Sequence, residues 1–331
     1  MQFATSNIII QLLLVISLEL ADHESSIRQY QTAFGDKIVG TRVGPAYLPR
    51  PCAIVIEMHA TLHRGLPGSA IDAYHRDGIV FPIAALSPAR VLELRHSFEA
   101  MEASLNRSPT PMRWTNLCFP WAYDLTMETG VLDSIEALLG PEIIVMGSII
   151  LCKHPGHDAY VGWHQDSINS GPGEVPSVSA WIALADSTRA NGCMRVIPAT
   201  HHTLLDHRDV IDPANLLRAG RVLSEPVDEE QAVDVELRAG EMSLHHDRIV
   251  HGSLPNCGGE KRIGFVVRYT TPAAPSRGFP VVRARGTAAC PHLELAGRPP
   301  DADPNDALAS YRRFTAAMED SLAQRGSHVR N

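Results

Sequence analysis

The chain has 331 residues, of which 44% are apolar and 20% charged, and its net charge is −8. That length buries a substantial core without disulfide or metal staples, and the composition excludes a disordered, collagen-like or polytopic membrane protein. The negative balance gives no electrostatic reason to bind nucleic acid or an anionic membrane.

Six cysteines (Cys52, Cys118, Cys152, Cys193, Cys257 and Cys290) are scattered without a CxxC pair. They form neither a disulfide framework nor a zinc knuckle, and they fit a reducing, cytoplasmic setting. Sixteen histidines, several between His154 and His251, are the unusual count.

Residues 1–70 read as an N-terminal extension. Its apolar run from Ile8 to Leu18 has no basic residue before Arg28, which argues for a packed element over a secretory signal. The run is also too short to span a bilayer. An alternative places the native start at Met58, because the segment before it bears no likeness to the rest of the chain.

From Ile71 the pattern becomes regular. Gly78 separates a helix end from a short strand at Ile79-Val80, and Ser87-Pro88 is a helix N-cap followed by proline at the first helical position. The helix it opens presents Val91, Leu94, Phe98 and Met101 on one face. A second face, Leu132, Ile135, Leu138 and Leu139, stops at Gly140-Pro141.

Short β runs come next: 143–151, 177–184, 193–198, 232–237, 241–244 and 262–271, separated by Gly, Pro, Asn and Asp. Such punctuation favours a sandwich or barrel over a doubly wound sheet. A helix closes the chain at about 306–322, with Leu308, Tyr311, Met318 and Leu322 on one side. The expected architecture is one domain over 71–331, mainly β with flanking helices, with its β core at about 142–272.

The chemistry concentrates in Gly162-Trp163-His164-Gln165-Asp166. On a strand, residues two apart share a face, so His164 and Asp166 would project together. Downstream stands His251-Gly252-Ser253-Leu254-Pro255-Asn256, and Arg262 opens a strand eleven residues after His251. Two imidazoles and a carboxylate form the facial triad of non-haem iron(II) oxygenases. An arginine nearby would hold the distal carboxylate of a 2-oxo acid cosubstrate.

HxD, the distal HGSxPN and the arginine beyond it resemble the phytanoyl-CoA dioxygenase family of Fe(II)/2-oxoglutarate oxygenases, across roughly Ile71 to Thr271. Asn191–Pro198 is similar to that family's NGxMxxxPGSH strand, with Ala199-Thr200-His201 where Gly-Ser-His is usual. Leu244-His245-His246-Asp247 is similar to the branch containing the syringomycin-type halogenases. The resemblance implies a double-stranded β-helix, a jelly roll of cupin-like form.

By the same resemblance, His164, Asp166 and His251 are the catalytic metal ligands for Fe(II), and Arg262 pairs with 2-oxoglutarate. Ser253 and Trp181 line the cosubstrate pocket. Six residues past Arg262, and so on the same strand face, Arg268 would stand behind the ligands or meet substrate, and Asn116, in Arg113-Trp114-Thr115-Asn116, would reach cosubstrate or substrate. Halogenases of that branch replace the HxD carboxylate with Gly or Ala to admit chloride. Asp166 is retained here, so hydroxylation is expected.

The expected enzyme is therefore a 2-oxoglutarate-dependent dioxygenase that consumes O2, hydroxylates an aliphatic C–H bond and releases succinate and CO2. Its substrate would be an amino acid derivative, a carrier-tethered acyl group or a secondary metabolite. Arg113, Arg189 and Arg268 favour one that bears a carboxylate. Desaturation, cyclisation or epimerisation with the same cofactors is the alternative, and a non-catalytic metal-binding jelly roll is a remoter one. The other histidines read as loop or structural residues, with His201, His202 and His207 between strands and only one of His245 and His246 able to face inward.

Overall fold

The computed structural model describes residues 65–105, 111–166, 175–217 and 221–328. The expectations for the apolar run and for a start at Met58 lie outside the described residues, as does the Leu322 side chain.

Helix α1 (Gly68–Asp77) ends on Gly78, whose φ of 76° is the left-handed region that a residue without Cβ enters freely. Strand β1 (Ile79–Ala84) comes after it. The next helix, α2 (Pro88–Leu105), buries the expected Val91, Leu94, Phe98 and Met101, and Ser87 Oγ accepts from the Arg90 N–H at 3.2 Å. After β2 (Met112–Arg113) come α3 (Pro120–Thr126) and α4 (Thr129–Leu139).

The remaining strands are β3 (Ile143–Lys153), β4 (Val161–His164), β5 (Ser177–Ala183), β6 (Met194–Ile197), β7 (His207–Asp209), β8 (Arg221–Leu223), β9 (Val233–Val235), β10 (Glu241–His246), β11 (Val250–Ser253), β12 (Arg262–Thr270) and β13 (Val282–Arg285). Helix α5 (Pro304–His328) closes the chain and buries Leu308 and Met318.

The strands form a large antiparallel sheet in the order β1-β10-β5-β12-β3-β13, with β2 added on β3. A second sheet runs β4-β11-β6-β9, and β7 pairs with β8 as a separate ribbon. The large sheet thus takes in β1 and β13 from outside the 142–272 span.

Strand alternation decides which residue faces which layer. Ile263, Phe265, Val267 and Tyr269 of β12 point outward into one apolar cluster with Leu94 and Phe98 of α2 and Leu132 and Ile135 of α4. Burying one such large side chain contributes about 2–3 kcal/mol. On the inner face, Trp181 and Ala183 of β5 meet Met194 and Val196 of β6 and Val235 of β9. Two antiparallel sheets face to face, with helices over one of them, make the expected double-stranded β-helix. Among the described residues, no helix is long and apolar enough to cross a membrane.

Candidate active site

Register brings the two histidines together. On paired strands β11 and β4, His251 stands directly opposite His164, and the ring centroids are 4.1 Å apart. His164 Nδ1 lies 3.0 Å from the Gly162 carbonyl oxygen, and His251 Nδ1 lies 3.0 Å from that of Ile249. A carbonyl only accepts, so both Nδ1 atoms are the donors, which in the neutral tautomer leaves each Nε2 lone pair for a metal.

The HxD pair does not share a strand, contrary to the expectation from alternation. Strand β4 ends at His164, and Asp166 lies beyond it. The turn between them is held by the buried Gln165, whose Nε2 donates to Thr203 O at 2.8 Å and whose Oε1 accepts from the Leu205 N–H at 2.8 Å. The Gln165 N–H donates to His207 Nε2 at 3.0 Å. His207, a loop histidine by its sequence, therefore supports the turn between the two candidate ligands. One ligand atom each from His164, Asp166 and His251 falls within a mutual 4.8 Å, a donor set that fits a divalent iron ion.

Arg268 Nη2 lies 2.7 Å from Asp166 Oδ1, and Ser179 Oγ lies 3.3 Å from Oδ2. Burial alone would raise the Asp166 pKa, but Arg268 and the two histidines outweigh it and hold the carboxyl well below its ordinary range. His245 is the inward member of its pair, with its ring 5.2 Å from that of His251. Burial takes its pKa down to about 4, so the ring is neutral at pH 7.

Arg262 is 1% exposed. Its Nη1 donates to Gly192 O at 2.8 Å, whereas Nε and Nη2 are buried without a partner. An unsatisfied buried guanidinium edge is costly, and a carboxylate would satisfy both nitrogens at once. The guanidinium carbon lies 5.3 Å from the centre of the Trp181 ring. That ring covers Gly264, where a Cβ would come within 2.2 Å of it.

His164, Asp166, His251, Arg262, Ser253, Trp181 and Arg268 all border one cavity of about 630 Å³. Asn116 does not border it. Buried behind the wall, Asn116 accepts through Oδ1 from Ser148 Oγ at 3.0 Å, and Ser148 reaches the cavity in its place. Arg113 borders the cavity, but Arg189 does not: it lies on the exterior near Asp234. Sequence reasoning missed Arg221 and Arg277, which border the cavity, and Lys153. The signal available for Lys153 was its place at the end of a continuous apolar run, and the fold leaves it 1% exposed.

A model of the phytanoyl-CoA dioxygenase (PhyH) family matches residues 74–264, more than half of the chain. The chain belongs to the phytanoyl-CoA dioxygenase family. The cofactors of that family are Fe(II) and 2-oxoglutarate, with O2 as co-substrate, and the His-Asp-His set and the unsatisfied Arg262 fit them.

Among relatives, the phytanoyl-CoA dioxygenase of Arabidopsis thaliana is 30% identical over 125 residues, covering 37% of this chain and 42% of that protein. A probable alpha-ketoglutarate-dependent hypophosphite dioxygenase of Stutzerimonas stutzeri is 27% identical over 172 residues, or 46% of this chain and 54% of that one. The match thus spans about half or less of these relatives. The solved structure of the non-heme monooxygenase ThoJ superposes with a TM-score of 0.64 at 26% identity, covering 78% of this chain and 99% of that one.

Proposed function

We propose that residues 71–331 form one oxygenase domain that hydroxylates an aliphatic C–H bond of a small molecule, with His164, Asp166 and His251 holding Fe(II) and Arg262 holding 2-oxoglutarate. The observation that carries this reading is the single cavity bordered both by the three candidate ligands and by the unsatisfied edge of Arg262. When bound, the iron and the 2-oxo acid would activate O2 and leave succinate and CO2.

This chain's own residues do the rest. The carbonyls of Gly162 and Ile249 hold the imidazoles in the tautomer that presents Nε2. Arg268 orients the Asp166 carboxylate. Trp181 fills the space over Gly264 and covers one face of the Arg262 guanidinium. Asp166 supplies a carboxylate where the similar halogenases have Gly or Ala, which favours oxygen over halide transfer.

The rest of the cavity wall combines Trp114, Phe279 and Leu216 with Arg113, Arg221 and Arg277. An apolar body carrying a carboxylate or phosphate suits that lining.

The test is to add Fe(II) and 2-oxoglutarate anaerobically and record the visible charge-transfer band of the chelate. A band whose 2-oxoglutarate dependence weakens about 100-fold in Arg262→Ala is expected, given the strength of a bidentate charge-assisted pair. No band, or one indifferent to Arg262, would refute the assignment. Succinate release across acids and their neutral amides then sorts substrates by charge.

A further inference from the structure

Arg262 and Lys153 stand directly opposite each other in the antiparallel pair β12–β3. Like charges at such positions repel, and here both side chains are only 1% exposed. Among the described residues, no carboxylate forms a salt bridge with either. The acceptors they reach are neutral: Gly192 O for Arg262, and Ser253 Oγ at 2.6 Å and Leu254 O at 2.5 Å for Lys153. Charging two buried basic side chains next to each other without a counter-ion is expensive in a protein interior, so burial and Arg262 pull the Lys153 amine toward its neutral form. A bound anion would offset that cost and let Lys153 hold its proton.

Lys153 does not border the cavity itself. It crosses from the large sheet to the small one and meets Ser253, which does. Because Ser253 Oγ accepts from Lys153 Nζ, the hydroxyl hydrogen of Ser253 is left to donate elsewhere, and the open direction is the cavity.

We propose that Lys153 is a positioning residue for the cosubstrate: it fixes Ser253 as a hydrogen-bond donor to the distal carboxylate and, with Arg262, forms a two-cation anchor that selects a dicarboxylic 2-oxo acid over a monocarboxylic one. This rests on the proposed cofactor reading. It adds a second, charge-based selection that the HGSxPN and arginine motif does not contain. Lys153 loses its electrostatic compensation whenever the distal carboxylate is absent, so a 2-oxo acid without one gains nothing from it.

The experiment is an anaerobic titration of the Fe(II)-loaded protein, read by the chelate band, with 2-oxoglutarate and with 2-oxobutyrate, which has the same chelating end and no distal carboxylate. Lys153→Met should weaken 2-oxoglutarate binding at least 10-fold and leave 2-oxobutyrate within 2-fold of wild type. In turnover, KM for 2-oxoglutarate should rise while kcat at saturation stays near wild type. Ser253→Ala combined with Lys153→Met should cost less than the sum of the two single changes, because one acts through the other.

If Lys153→Met fails to fold, Lys153→Gln keeps a donor to Ser253 and Leu254 while removing the charge. It should still lose 2-oxoglutarate affinity selectively, by about 5-fold or more. Equal losses for both acids, or none for either, would overturn the assignment of Lys153. A wild-type band that depends on Arg262 but not on Lys153 would overturn this inference alone, whereas a wild-type protein with no band would overturn the cofactor reading beneath it.

Discussion

Arg268 and Arg262 lie on the same face of β12, six residues apart, and serve opposite ends of one site. Arg268 reaches Asp166 at 2.7 Å, while Arg262 turns its unsatisfied edge toward the place proposed for the cosubstrate. Gly264, between them, carries no side chain, which leaves room for the Trp181 ring.

Arg268→Met should leave the Asp166 carboxylate buried without its cation. Both side chains are under a quarter exposed, so the metal-free protein should lose about 2–3 kcal/mol, the cost of about 3–5 kcal/mol for breaking a fully buried pair discounted for their partial exposure. A divalent metal supplies the missing charge, so Mn(II) should raise the Tm of this variant more than that of wild type. An equal rise in both would show that Arg268 does not balance Asp166. Asp166→Ala should weaken metal binding by more than about 100-fold, measured by equilibrium dialysis.

Gly192→Ala should disturb the arginine anchor from behind. Gly192 has φ +76°, and a Cβ there would lie 2.3 Å from Leu254 O. Its carbonyl accepts from Arg262, so the strain passes directly to that side chain. We expect a loss of about 2 kcal/mol or more in urea unfolding, together with weaker 2-oxoglutarate binding. Unchanged binding in a destabilised variant would separate the turn from the anchor.

Ala199→Gly should stabilise the protein. Ala199 adopts φ 61°, a conformation costing an L-residue about 1–2 kcal/mol. The more flexible unfolded chain returns part of that gain, leaving about 0.5–1 kcal/mol, or a Tm rise of about 2 °C. A lower Tm would contradict it.

Lys153 should leave a signature in the pH dependence of stability. In the protein without cosubstrate, burial, and then repulsion from Arg262, pull its pKa from 10.5 to about 6, with the nearby Cys193 thiol pushed up to about 12. Between pH 6 and 10.5 the unfolded chain thus holds one more proton than the folded one, so stability rises with pH by up to about 1.4 kcal/mol per unit. Urea titrations at pH 7 and pH 9 should show wild type gaining more than Lys153→Met. Identical gains would mean that the amine stays charged in the fold.

Much of the fold was legible because burial imposes a period. The outward residues of β12 and the buried face of α2 were visible as alternation and as 3.6-residue spacing. Strands β2, β7, β8, β11 and β13 were not, because two to four residues carry too little periodicity to register unless, as at β6 and β9, a longer apolar run surrounds them. The candidate ligands were legible through residue type and order. Their support was not: Gln165 and His207 hold the HxD turn through contacts 38 to 42 residues away in the chain.

What this sequence determined by itself was chemistry: two imidazoles, a carboxylate and an arginine in an order that resembles one family. Only the tertiary structure decided which other side chains share their space. It removed Asn116 and Arg189 from the cavity wall and brought in Arg221 and Arg277. It also set Lys153 opposite Arg262 across β3 and β12. Strand register does this, because it joins residues far apart in the chain, and no local pattern encodes the neighbour on the next strand.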